Sequence, residues 1–288
     1  MLICWSTIFL IITKKTIDLN KIELSSIASM DEVPCYFDMP SNKTYEIIGT
    51  RNVLVRSSGN EKTRFTVLLC AFANGTKMIP TIIFKNLTKP PKECNGIKGA
   101  YIQAAKGGSV NQEKMLNWTK NVWFKNIQVN FKKTLLMFDS HRAHTVESVK
   151  QLFKKSKTSI NVIPGGCTPL LQPGDVVYHR MFKHRLKEYH EEWICSHPEN
   201  EKIKRPTYKQ IVDWVIKAWE QISKDDIKTA FEICGVANVN DPEKYHYLLK
   251  TIMEKDLGTV FVEDDMIGEV YEHTGITDDE ESDEQDEP

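Results

Sequence analysis

Three aspartates stand where the surrounding pattern is apolar. Ile27, Val33, Cys35 and Phe37 alternate onto one face of an extended segment, and Asp31 lies on that same face. Asp139 ends the run Thr134-Leu135-Leu136-Met137-Phe138. Such a run reads as a strand buried on both faces, in a parallel central position. The carboxyl end of such a strand is where sites form in open α/β sheets. Asp175 opens a helix in which Phe182, Leu186, Tyr189 and Trp193 recur at helical spacing. It precedes Phe182 by two turns, which puts it at the head of the core-facing stripe. An inward carboxylate is costly unless a cation or hydrogen-bond donors meet it. Taken singly, Asp175 suits an N-cap and Asp139 a turn. Taken together, the three point to a hard divalent cation with oxygen ligands. Two such ions about 4 Å apart activate an attacking oxygen and stabilise a leaving oxygen in phosphodiester chemistry.

The elements that must position these residues are legible in outline. Arg64–Ala73 and Thr76–Lys85 are rich in β-branched and aromatic residues, and Asn74-Gly75 joins them as a hairpin. Pro34 predicts that regular pairing of the first strand ends or bulges there. Residues 39–63 and 86–110 read as loops. Asn111–Phe131 reads as a helix presenting Met115, Leu116, Trp118, Val122 and Trp123. A helix over Thr145–Lys155 and a short strand over Ser159–Ile163 follow the Asp139 strand. Helices are predicted at about Asp175–Cys195, from Pro206-Thr207 through Ile222, at Asp225–Cys234 and at Pro242–Lys255. The tryptophans at 118, 123, 193, 214 and 219 fall at helical spacing and read as core packing. An antiparallel β block, then alternating strand and helix, then helices, makes an α/β mixed sheet flanked by helices, with a helical C-terminal extension.

Met1–Ile12 is nearly all apolar but too short to span a bilayer, and no basic stretch precedes it as in a signal peptide. A strand, or sequence at a truncated start, is the expectation, with no stable membrane insertion. The histidines at 141, 144, 179, 184, 190 and 197 lack cysteine partners at zinc-site spacing and read as turn and surface residues.

Composition sets the outer bounds. The chain has 288 residues, 41% hydrophobic and 27% charged. That excludes a collagen, a coiled coil, a mostly disordered chain and a multi-span membrane protein. The net charge of −1 hides an asymmetry. Glu263–Pro288 holds 13 acidic and no basic residues, which leaves 38 Lys and Arg against 26 Asp and Glu in residues 1–262. A basic body with an acidic tail fits a polyanion partner with the tail as competitor; a solvated lysine-rich surface fits equally well. The tail is too poor in apolar residues to order itself. Seven cysteines without a Cys-x-x-Cys pair, several inside apolar runs, read as reduced core residues.

The motifs around the aspartates resemble a family. Ser29-Met30-Asp31-Glu32-Val33-Pro34 and Phe37-Asp38-Met39-Pro40-Ser41-Asn42-Lys43-Thr44 look like the first-aspartate strand of pogo/Tigger-type transposases. These belong to the DDE superfamily endonuclease group, with jerky-like and centromere protein B-like proteins. Gly59–Val67 and the hairpin Ala73–Lys85 match further segments. Phe138-Asp139-Ser140-His141-Arg142-Ala143-His144 resembles the second-aspartate motif, and Cys167–Val176 the third. The two aspartates are separated by 35 residues, a gap such transposases commonly show. Trp219 through Val236 resembles the helical tail.

The resemblance implies a ribonuclease H-like fold and cut-and-paste DNA chemistry in the nucleus. Asp31, Asp139 and Asp175 would be catalytic, holding two Mg²⁺ or Mn²⁺ ions. DNA is the implied partner, with a homodimer among the assemblies open to it. Arg142, Arg180, Lys183, Arg185 and Lys187 are the candidate DNA contacts, although the four on the helix suit a solvated face as well. The implied organisation is an apolar segment over 1–24, the DDE domain over 25–200, a helical extension over 201–262 and the acidic tail. The chain departs from the family's third motif: Gly174 stands for a leucine, His179 for an asparagine and Met181 for a proline, and Val177 also differs; His179, one turn after Asp175, is placed to crowd or join the site. The residues before Asp31 are too few for the family's helix-turn-helix DNA-binding domains, so the resemblance implies the catalytic core of a truncated or domesticated element. Two readings follow: an active metal-dependent endonuclease, or a domesticated, catalytically silent DNA- or chromatin-associated module that keeps the fold.

Overall fold

The alternation over Ile27–Phe37 becomes the spine of a sheet. A computed structural model describes residues 2–39, 58–60, 62–107, 110–127, 133–141, 146–198 and 203–237. Among these, six strands form one sheet: β1 (Ile27–Tyr36), β2 (Arg64–Phe72), β3 (Thr81–Lys85), β4 (Tyr101–Ala105), β5 (Thr134–Phe138) and β6 (Thr158–Val162). Their order is β4-β3-β2-β1-β5-β6. β1, β2 and β3 pair antiparallel, while β4 runs parallel to β3, β5 to β1 and β6 to β5. β5 is buried along its whole length between two parallel neighbours, as its unbroken apolar run predicts.

Helices cover both faces. On one lie α1 (Leu2–Asn20), α5 (Thr168–Leu171), α6 (His179–Cys195), α7 (Tyr208–Gln221) and α8 (Lys224–Ile233); on the other lie α2 (Gln112–Trp118), α3 (Phe124–Ile127) and α4 (Glu147–Lys155). Strand parity sorts the side chains between them. Ile27, Val33, Cys35, Leu135 and Met137 join Phe182, Leu186 and Trp219 in one core, whereas Ala28, Met30, Leu136 and Phe138 join Trp118, Trp123 and Phe153 in the other. The tryptophans at 118, 123, 214 and 219 are core residues, as their spacing predicts. Cysteines 35, 70, 94, 167 and 234 are buried free thiols, and Cys195 is exposed.

Several expectations change. Residues 2–20 form a helix rather than a strand, with Phe9 and Leu10 buried and Trp5, Ile11 and Leu19 exposed. No described helix is long and apolar enough to cross a membrane. Pairing of β1 runs through Pro34 to Tyr36. Pro34 is tolerated because the β1–β5 ladder stops at Ser29, so that among the described residues β1 there pairs with β2 alone. The loop expected over 86–110 contains β4. A π-helical turn, Thr119–Trp123, joins α2 to α3 inside the predicted helix. The helix expected at Pro242–Lys255 and the acidic tail lie outside the described residues.

The turn between β2 and β3 also anchors the C-terminal helices. Gly75 has φ +86, and a Cβ there would fall 2.5 Å from the Lys224 carbonyl oxygen, so both conformation and space require glycine. Beside it, Lys77 Nζ donates to the carbonyls of Trp219 (2.6 Å), Glu220 (3.1 Å) and Ile222 (2.6 Å), at the carboxyl end of α7. A cation there complements the helix dipole and its unpaired carbonyls. Lys77→Met keeps the stem and removes the charge. It is expected to cost about 1–2 kcal/mol in urea unfolding.

Candidate active site

Register sets Asp31 beside Asp139. β1 and β5 pair from Ile27↔Leu135 to Ser29↔Met137, and each aspartate lies two residues further along its strand. Two-residue steps keep the face, so both carboxylates emerge just past the last rung, on the α6 side. Asp31 is 6% exposed, and its Oδ1 accepts the Glu32 N–H at 2.8 Å. Asp139 is half-buried; its Oδ1 accepts the His141 N–H at 3.2 Å, a local turn.

The third aspartate is carried in by a different device. Gln172 is fully buried, and its Nε2 donates to the Met30 carbonyl at 3.0 Å, tying this segment to β1. After Pro173 comes a π-helical turn, Gly174–Tyr178, that leads into α6. Such turns are rare and recur at functional sites. The wider turn breaks the two-turn spacing from Asp175 to Phe182. The Asp175 side chain is therefore 39% exposed, neither on the core stripe nor an N-cap, while Val177 and Tyr178 turn inward.

Between the carboxylates stands His179, which crowds the site from one turn after Asp175 rather than lying on the surface. His179 is 5% exposed, and its Nδ1 lies 3.0 Å from Asp175 Oδ1 and 3.6 Å from Asp31 Oδ2. One ligand atom each from Asp31, Asp175 and His179 lie within 4.8 Å of one another. Asp139 is outside that group, yet close enough for its charge to act on Asp31. Burial pushes the Asp31 carboxyl up to about 7; His179 opposes the rise, Asp175 and Asp139 add to it, and the Glu32 N–H opposes it.

Proteins of known sequence and structure share this frame. A family model described as DDE superfamily endonuclease matches residues 62–231. The chain belongs to that family. The pogo transposable element with KRAB domain is 28% identical in Homo sapiens and 27% in Mus musculus, over 75% of this chain and 36% of each relative. The chain therefore spans about a third of the length of these curated relatives. Among solved structures, a Mos1 transposase paired-end complex with left transposon end has a TM-score of 0.55 at 12% identity, covering 87% of this chain and 62% of that one. A pre-cleavage Mos1 transpososome has a TM-score of 0.52 at 12% identity, covering 91% and 63%. The fold is the ribonuclease H-like mixed sheet flanked by helices.

In this DDE chain Asp139 and Asp175 lie inside the matched segment and Asp31 precedes it. Of the candidate DNA contacts, Arg180, Lys183 and Arg185 are exposed along α6, Lys187 is half-buried, and Arg142 lies outside the described residues. The surface reading fails for His190 as well, which is 1% exposed. Its Nε2 sits 2.9 Å from Oδ1 of Asp38, a carboxylate just past β1 that is itself 2% exposed. Burial lowers the His190 pKa, against the pull of Asp38. Both buried histidines fall on the apolar stripe of α6: His179 three residues before Phe182, and His190 four after Leu186. That spacing was the available signal.

The raised Asp31 pKa has a defined sign in the metal-free protein. Below about pH 4 the carboxyl is protonated in both folded and unfolded chains. Between about 4 and 7 the unfolded chain has lost that proton and the folded chain keeps it, so stability falls as pH rises. The slope is on the order of 1 kcal/mol per pH unit from this group and ends above about 7. Urea unfolding of wild type and Asp31→Asn across pH 4–8 measures it. The variant is expected to lack this component, and equal slopes would contradict the burial argument.

Proposed function

We propose that this chain is the catalytic core of a transposase-derived endonuclease that cleaves and transfers DNA phosphodiester bonds with divalent metal ions. The observation that carries the reading is the convergence of Asp31 and Asp175 beside Asp139 past the last β1–β5 rung, in a DDE-family chain. Mos1 paired-end complexes of the same fold have been solved with Mg and with Mn. The donor set here suits such ions: carboxylate oxygens on rigid strand and helix termini, one of them buried. Asp31, Asp139 and Asp175 would hold two Mg²⁺ or Mn²⁺. Bound ions supply activation of an attacking oxygen and neutralisation of the leaving oxygen. The strand frame sets the distance between Asp31 and Asp139, and the Gln172 anchor brings Asp175 to them. Arg180, Lys183 and Arg185 would hold the DNA backbone along α6, on nuclear DNA.

One observation favours a silent DNA- or chromatin-associated module instead: His179 already meets Asp175 and stands near Asp31, so these carboxylates have a partner without metal. Incubating the protein with supercoiled plasmid and Mn²⁺ separates the two. An active core produces nicked and linear DNA, and Asp139→Ala does not. Equal products from both proteins, or none from either, would favour the silent module.

A further inference from the structure

We infer that His179 is itself a ligand in this metal site, through Nδ1, and that the mixed oxygen and nitrogen set makes this chain prefer Mn²⁺ to Mg²⁺. The inference rests on the metal-site reading above and deepens it. Nδ1 is the ring atom that faces both carboxylates, at 3.0 Å from Asp175 and 3.6 Å from Asp31. Nε2 points away into the protein, buried and without a hydrogen-bond partner among the described residues. A surface histidine would turn at least one nitrogen to water; this one turns its only engaged nitrogen to the site.

The ring has a place made for it. The π-helical turn closes with the His179 N–H on the Gly174 carbonyl, which brings residue 179 back over residue 174. A Cβ at 174 would lie 2.3 Å from both Cε1 and Nε2 of the ring and 3.0 Å from Cδ2. Gly174 has ordinary backbone torsions, so its missing side chain is a matter of space: the imidazole occupies it. The extra residue of the turn, the bare Cα and the histidine thus form one arrangement. Its effect is to hold an aromatic nitrogen within 4.8 Å of the two carboxylates. Mg²⁺ takes oxygen ligands in near-ideal octahedra, whereas imidazole suits later divalent ions, and Mn²⁺ accepts both donor types.

Electron spin-echo envelope modulation on the Mn²⁺-loaded full chain reads nitrogen coordination directly. Calorimetric titration of Mn²⁺ and Mg²⁺ reads preference. Wild type is expected to show ¹⁴N modulation and to bind Mn²⁺ more tightly than Mg²⁺. His179→Asn should lose the modulation and about tenfold or more in Mn²⁺ affinity, with Mg²⁺ affinity changed by less than about threefold. Gly174→Ala keeps the imidazole but displaces it, and should lose the modulation too; it serves as the second variant if His179→Asn does not fold. Absence of ¹⁴N modulation in the wild type, or unchanged or tighter Mn²⁺ binding by His179→Asn, would overturn the inference and make the ring a counter-group to the carboxylates. Asp31→Asn separates the two levels. If it abolishes Mn²⁺ binding while His179→Asn does not, the inference fails and the metal-site reading stands. If it leaves Mn²⁺ binding unchanged, that reading fails as well.

Discussion

Millimolar Mn²⁺ is expected to raise the melting temperature of the wild-type chain, and Asp139→Ala to remove most of that rise. An ion that binds the folded chain and finds no assembled site in the unfolded one stabilises by mass action. At a hundredfold excess over the dissociation constant the gain is about 2.7 kcal/mol. For a chain of this size that corresponds to roughly 5–10 °C. Asp139 stands at the level of Asp31 by strand register, and its charge already opposes ionisation of Asp31. Removing it deletes a ligand and relieves that repulsion. The metal-free variant should therefore stay folded and melt no lower than wild type. Differential scanning calorimetry of both proteins, with and without Mn²⁺, gives the answer. Equal responses would mean that Asp139 does not take part in binding.

Asp38→Ala is expected to destabilise the chain by about 3–5 kcal/mol, although Asp38 takes no part in the proposed chemistry. Its Oδ2 accepts from the Ser58 N–H (2.6 Å), the Ser58 hydroxyl (2.8 Å) and the Asn60 N–H (3.3 Å), while Oδ1 faces His190 on α6. One buried carboxylate thus ties the end of β1 to residues 58–60 and to the helix that carries His179. Truncation leaves the part-buried donors of Ser58 and Asn60 and the buried His190 without their partner at once, which costs more than one hydrogen bond contributes. Asp38→Asn retains an acceptor oxygen and should fall between the two in urea unfolding. A loss below about 1 kcal/mol in the alanine variant would show that this network is replaceable by water.

The sequence by itself determined the strands whose burial is periodic or continuous. β1, β2 and β5 were legible because alternation and unbroken apolar runs are local signals, readable along one segment. The capped C-terminal helices were legible for the same reason: Thr207 and Ser223 each start a helix with a reciprocal cap to the residue three further on. Asp31 and Asp139 stood out because a charge on a buried face is anomalous within its own strand. β4 was missed because Tyr101–Ala105 is a short edge strand that pairs parallel with β3 across a loop, and its flanks are turn residues.

The environment of the third aspartate was decided only in the folded chain. Helical spacing assumes 3.6 residues per turn, and the π-helical turn at Gly174–Tyr178 breaks that assumption at the one point where it mattered. Asp175 turned outward and His179 turned in. Which residue fills the gap beside Asp31 depends on the bare Cα of Gly174, on the Gln172 bond to Met30 and on the register of β1 against β5. Each of these joins residues far apart in the chain or wound around one irregular turn. No single segment carries that information, because it exists only once the sheet has brought the segments together.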